Sequence, residues 1–274
     1  MDEEFTAEDR KKLKAKIRQQ RIVADRGPLF GRPVPKELMT AYAFKDTERA
    51  RIHNIQKKYT IRRKNIQRCW NRFQLYLPEL MHHGAPQKVF EMSTAHGGML
   101  EVARHFGHEV QGNDFANRLD QHDVSASTTH RKLSDDAFEQ TVKDPVVKDG
   151  TALDWPYRPI IEAIDVPVSL FDAGHVPYPL EDKSQDVLIC AQAIEHYCHP
   201  DHWMELMDEF CRITRKTIVI IMNPLFVHFA DDKDYVEAFE KFRADLQSYK
   251  RNGFTTTSCH IQWAEALGFK LTAD

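Results

Sequence analysis

The sequence predicts an α/β fold: a doubly wound, mostly parallel sheet with helices on both faces and an N-terminal helical extension. Three observations carry this. Lys88–Asp114 (KVFEMSTAHGGMLEVARHFGHEVQGND) runs from an apolar strand through a small-residue turn into an amphipathic helix, then into a second strand ending in an acid. Val168–Ala173 (VSLFDA) and Asp186–Ala191 (DVLICA) are two further short strands, the first carrying Asp172 near its end. Thr217–Met222 (TIVIIM) is apolar along most of its length, as a strand covered on both faces must be.

The remaining elements follow in order. Residues 1–27 form a highly charged helical stretch, ended by the breakers in DRGPLFGRPVP. Lys36–Met81 is again mostly helical and closes with Trp70, Phe73, Leu75, Tyr76 and Leu77, spaced to lay one face on the sheet. Val89–Met92 is the first strand, Met99–Phe106 a helix and Glu109–Gly112 the second strand. About 57 residues separate Asp114 from Asp172, where one helix at Tyr157–Ile164 suffices, so 117–150 reads as an insertion: a lid, a binding loop or disorder. Its Ser125–Thr129 run offers little with which to build a core, and it is expected to be a cleavable cover or acceptor-site wall. Pro200–Arg212 is a helix with Trp203, Leu206, Met207 and Phe210 on its apolar face, and Asp231–Tyr249 a charged helix with an aromatic stripe. His260–Leu267 reads as a last helix and Phe269–Thr272 as a sixth strand. The organisation is thus an arm at 1–35, a helical extension at 36–87 and an α/β domain at 88–274.

Composition bounds the function. At 274 residues and 42% hydrophobic content, the chain can bury one core plus an accessory element. A formal net charge of -3 argues against a wholesale nucleic-acid binder. No run approaches the ~18 apolar residues that would span a membrane, and MDEEFTAEDRKKLKAK is too charged for a secretory signal. The five cysteines are scattered and odd in number, and read as reduced thiols of a cytoplasmic protein.

The first block is similar to the acid-x-Gly-x-Gly-x-Gly motif of the class I S-adenosylmethionine (SAM)-dependent methyltransferases, a Rossmann-like superfamily. Laid over it, the acid is Glu91, and the glycine slots hold Ser93, Ala95 and Gly97. Ser93 and Ala95 are small enough for close approach but tolerate positive φ poorly. The second block resembles the family's later motifs: an acid after the third strand, a Leu-Pro-like loop, Asp-Val-Val, and a Leu-Glu-His ending matched by Ile194-Glu195-His196. The resemblance covers 88 to the C-terminus. It implies SAM as cofactor, Asp114 on the ribose hydroxyls, Phe115 against the adenine face, Asp172 accepting from the adenine amino group, and Ala173 offering backbone atoms to the ring. Gln192 would face the methionine portion and His196 the acceptor, with His196 or Glu195 as the base, although methyl transfer can also run on alignment alone. The family closes its sheet with an antiparallel seventh strand. By the reading above it is missing here, to be supplied by the N-terminal segment or a second subunit if at all.

Each candidate has a plainer alternative. Asp114 and Asp172 could cap the turns that follow them, and Phe115 could be core. His196, Cys198, His199 and His202 invite a zinc reading, but they straddle Pro200 and lack a separated second ligand pair, so no metal is assigned. Asn223-Pro224-Leu225-Phe226 superficially resembles the Asn-Pro-Pro-Tyr motif of amino-group DNA methyltransferases, but follows the fifth strand and reads as a decoy. Arg49–Arg72 carries many cations, no acid between them from 50 onward, and interleaved Tyr59 and Trp70. It is either a solvated helix face or a nucleic-acid contact. The function expected is methyl transfer from SAM to an oxygen or nitrogen of a small or medium acceptor, in a chain that could self-associate. A nucleic-acid methyltransferase using the basic helix at 49–72, a non-catalytic methyltransferase-like binding protein and a nicotinamide enzyme are the rivals.

Overall fold

The strand order reverses at one point, and that point locates the ligand crevice. The computed structural model describes residues 6–22, 31–43, 57–115, 117–118, 147–148, 151–154, 157–261 and 267–274. Helices α1 (Ala7–Ile22) and α2 (Arg62–Tyr76) precede β1 (Lys88–Met92), and α3 (Gly98–His105) leads to β2 (Glu109–Asp114). Three short strands, β3 (Asn117–Arg118), β4 (Val147–Lys148) and β5 (Thr151–Asp154), form a small separate sheet, followed by α4 (Arg158–Ile164) and β6 (Val168–Leu170). Then come β7 (Gln185–Ala191), α5 (Trp203–Ile213), β8 (Thr214–Ile221), α6 (Lys233–Gln247), β9 (Lys250–Arg251), β10 (Phe254–Ile261) and β11 (Leu267–Ala273). The main sheet runs β6-β2-β1-β7-β8-β11-β10-β9, parallel from β6 to β8 and antiparallel beyond. From β1 the chain winds outward to β2 and β6, then returns to β7 and winds the other way. Ligands of such sheets sit outside the carboxyl ends of the strands at this switch, here between β1 and β7.

Alternation along the strands builds two cores. Phe90, Leu188, Cys190 and Ile220 face α5 and α6, meeting Trp203, Phe210, Phe239 and Phe242. Val89, Val187, Ile189 and Val219 face the other way, meeting Trp70 and Phe73 of α2, Leu100 of α3 and Ile161 of α4. The predicted apolar face of α2 is therefore its docking face: Trp70, Phe73, Tyr76 and Leu77 are buried, and Leu75 packs at the edge.

The carboxyl-terminal reading needs correction. His260 and Ile261 belong to strand β10 rather than to a helix, and 262–266 lie outside the described residues. The segment Phe269–Thr272 lies in the antiparallel seventh strand, β11, inserted between β8 and β10, so no edge is missing. The sixth strand is β10, whose Thr-Thr-Thr-Ser-Cys run suits a pleated surface. The overlooked signal was Asn252-Gly253: φ values of 54° and 73° make it the tight hairpin turn between β9 and β10. Of the insertion, only 117–118 and 147–148 are described; the lid reading of 117–150 otherwise lies outside the described residues.

Candidate active site

The loop after β1 keeps the shape of a glycine-rich turn without its glycines. Ser93, Ala95 and Gly97 have φ of 51°, 47° and 67°, so all three glycine slots are left-handed although only one holds glycine. For an L-residue this conformation costs roughly 1–2 kcal/mol each. Backbone bonds to the end of β2 hold it: Ser93 N–H donates to Asn113 Oδ1 at 2.9 Å, Thr94 N–H to Asn113 O at 2.8 Å, and Ala95 N–H to Asp114 Oδ2 at 3.1 Å. Gly112 must be glycine, because a β-carbon there would overlap Thr94 Oγ1 and press on Glu91 O.

The sequence-predicted residues meet at the carboxyl ends of β1, β2, β6 and β7. Asp114 is buried, and its other oxygen accepts from Phe115 N–H at 2.8 Å. Phe115 is half-buried on the rim. Asp172 accepts from Gly174 N–H at 2.9 Å, and burial holds its carboxyl above the usual range. Ala173 O is taken by Tyr178 Oη at 2.7 Å. Glu91 is buried with one carboxylate oxygen lacking a partner. Burial pushes its carboxyl well up; the Arg72 cation opposes this and the Asp114 charge reinforces it. Tyr59 lies 5.6 Å from His96 and 5.8 Å edge-on from Tyr157, and the Tyr157 hydroxyl feels the Asp114 charge.

At the end of β7, Gln192 has φ 59° and is followed by the tight turn Ile194–His196. His196 is half-buried with its ring 5.4 Å from Phe226. Glu195 is buried and accepts from both Asn223 nitrogens, with burial pushing its carboxyl up to about 7.

Two residues of this site were missed from sequence. Asn223, set aside within a decoy motif, bonds both Glu195 and Gln192. Arg72, read as one cation of a basic run, is buried and donates to Gln192 Oε1. The clue to Arg72 was its place one turn from the buried Cys69 and Tyr76. Of the basic run, 49–56 lie outside the described residues, and within α2 its other cations are partly occupied. Arg62 chelates Glu101, with Nε at 3.1 and 3.2 Å, and Arg68 donates to Asn65 Oδ1 at 3.1 Å, so among the cations of α2 only Arg63 and Lys64 are exposed. The His-Cys cluster disperses: His199 faces Asp201, His202 faces Glu205, and Cys198 is buried. Among the described residues no group of three His, Cys, Asp or Glu is placed to hold a metal, and no helix is long and apolar enough to cross a membrane.

No protein-family model matches the chain, and no curated protein matches it. Among solved structures it is similar to a protein of Pyrococcus horikoshii OT3, at 15% identity over 85% of this chain and 100% of that one, with a TM-score of 0.44. It is similar to a SAM-dependent methyltransferase of Aquifex aeolicus, at 14% identity over 74% and 93% of the two chains, with a TM-score of 0.42. It is also similar to the magnesium protoporphyrin IX methyltransferase of Synechocystis PCC 6803, solved with bound S-adenosylhomocysteine, at 11% identity over 84% and 95%, with a TM-score of 0.43. The α/β, Rossmann-like fold of this chain stands on its own strand order and connectivity.

Proposed function

We propose that the protein transfers a methyl group from SAM to an oxygen or nitrogen of a small or medium organic acceptor. The observation that carries this is the β1 loop, held left-handed at three alternate positions beside the Asp114 carboxylate at the switch point. The residues fit the cofactor. Ser93 and Ala95 are small and half-buried, which would let a ligand approach the loop closely, and Asp114 beside them would accept from the ribose hydroxyls. The Arg72 guanidinium and the Glu91 carboxyl, with its unpartnered oxygen, suit the carboxylate and ammonium ends of an amino acid. Gln192 would lie beside that amino-acid portion, with Asp172, Ala173 and Phe115 on the adenine side.

When bound, the sulfonium supplies an electrophilic methyl group, so the chain need only align the acceptor and accommodate its proton. His196 is our candidate for that proton: it is half-buried, its ring lies against Phe226, and an imidazole titrates near neutrality in general. The described cysteines are all free thiols, in keeping with a cytoplasmic enzyme.

Calorimetry with SAM and with NAD tests the reading: SAM binds and NAD does not. Asp114→Ala should weaken SAM about ten- to a hundredfold, the loss of a charged acceptor, without unfolding the protein. Unchanged affinity in that variant removes Asp114 from the ribose.

A further inference from the structure

Four polar side chains form a directed chain beneath the crevice, and its direction is set at both ends. Arg72 on α2 donates to Gln192 Oε1, and Gln192 Nε2 donates to Asn223 Oδ1 at 3.0 Å. Asn223 then gives Nδ2 to Glu195 Oε2 at 3.4 Å and its backbone N–H to Glu195 Oε1. A guanidinium only donates and an ionised carboxylate only accepts, so both intervening amides are forced into one orientation. If Glu195 takes a proton, that end acquires a donor. A protonated carboxyl keeps an acceptor oxygen, so the chain stays connected but its link from Asn223 to Glu195 loses its charge assistance and weakens.

We infer that Glu195 is a positioning acid rather than a base: its ionised carboxylate, acting through Asn223 and Gln192, fixes the Arg72 guanidinium in the crevice and makes ligand binding sensitive to a proton outside the ligand's reach. Burial pushes Glu195 up to about 7, which places the change in the neutral range. The titratable groups that feel its charge are Cys190 of β7 and Tyr235 of α6, both driven upward by burial and so neutral across that range. His196 is its neighbour in the turn. At the far end Arg72 faces Glu91. The inference rests on the SAM reading for the identity of the ligand, but not for the chain of bonds.

The probe is S-adenosylhomocysteine, its affinity measured by calorimetry from about pH 5.5 to 8.5. Wild-type affinity should weaken about tenfold as pH falls through about 7, the loss of one charge-assisted link. Glu195→Gln puts an NH2 where a carboxylate oxygen accepted, mimicking the protonated acid. Its affinity should stay near the wild-type low-pH value at every pH. Asn223→Ala severs the chain and should be equally flat. A pH dependence that survives in Glu195→Gln belongs to His196 or another group and overturns the inference, as does a flat wild-type profile. Because burial favours the neutral form, Glu195→Gln should fold, which a melting curve checks. If the wild-type protein binds no S-adenosylhomocysteine at any pH, the SAM reading fails by itself. The chain is then read from hydrogen exchange of α2, corrected for intrinsic rates. Protection that drops below about pH 7 in wild type but not in Glu195→Gln supports it. The same response in both proteins overturns it.

Discussion

The backbone N–H of Ala95 donates to Asp114 Oδ2 at 3.1 Å, joining the loop after β1 to the end of β2 across the mouth of the crevice. The bond closes over a residue at φ 47°, where a β-carbon is strained. The shape of this loop is therefore held by bonds within the protein, at a cost to the fold.

Relieving that strain gives the first prediction. Ala95→Gly removes roughly 1–2 kcal/mol of left-handed strain and returns about 0.5–1 kcal/mol as added freedom of the unfolded chain. A net gain of about 0.5–1 kcal/mol is expected in denaturant unfolding. A loss of stability would show that the Ala95 methyl group packs more usefully than its backbone suffers.

Glu195 should impose a pH dependence on stability. Its folded carboxyl titrates at about 7, above its ordinary value of 4.5, so the folded state holds the proton more tightly. That contribution is fully present below about 4.5 and is lost as pH rises through about 7, amounting to as much as about 3 kcal/mol. Glu195→Gln should flatten urea midpoints over this window and exceed wild type at pH 8. The fold thus favours the protonated acid while the relay needs the ionised one, so stability and ligand affinity should change in opposite directions. An acid serving stability alone would leave affinity level.

His196→Ala should lower turnover about 10²–10⁴-fold with cofactor affinity nearly unchanged, if the imidazole takes the acceptor proton. The diagnostic is the pH profile of kcat. A smaller loss with an unaltered profile means that alignment alone drives transfer.

The docking of α2 can be tested at a distance from the chemistry. A β-carbon on Gly268 of β11 would overlap the phenol of Tyr76 at the end of α2. Gly268→Ala should destabilise by about 1–3 kcal/mol through overpacking. A silent substitution would mean that Tyr76 swings away freely, and that α2 is held by Trp70 and Phe73 alone.

Strand, turn and helix from Lys88 to Asp114 were legible because periodicity and small residues are local signals. The convergence of Glu91, Asp114 and Gln192 followed from their places at strand ends. What stayed hidden was nonlocal or misweighted. Asn252-Gly253 is a strong hairpin signal, but the helical look of HIQWAEAL drew the boundary past it. Arg72 and Asn223 are 151 positions apart in the numbering, and nothing nearby in sequence announces that both reach Gln192. A buried cation among exposed ones can be told only by its neighbours on the helix, and only once the sheet beneath that helix is known.

Helix α2 precedes every strand of the main sheet, yet its Arg72 ends the chain of bonds that begins at Glu195. A fragment starting at Lys88 would retain all eight strands of that sheet and the whole β1 loop. It would also expose the face that Trp70 and Phe73 cover, and leave Gln192 without its cationic partner. Trimming this protein to its sheet would leave the carboxyl ends of β1 and β7 without the buried Arg72 guanidinium. Engineered minimal versions, and comparisons restricted to the sheet, would lose one end of the chain of bonds that ties α2 to β7.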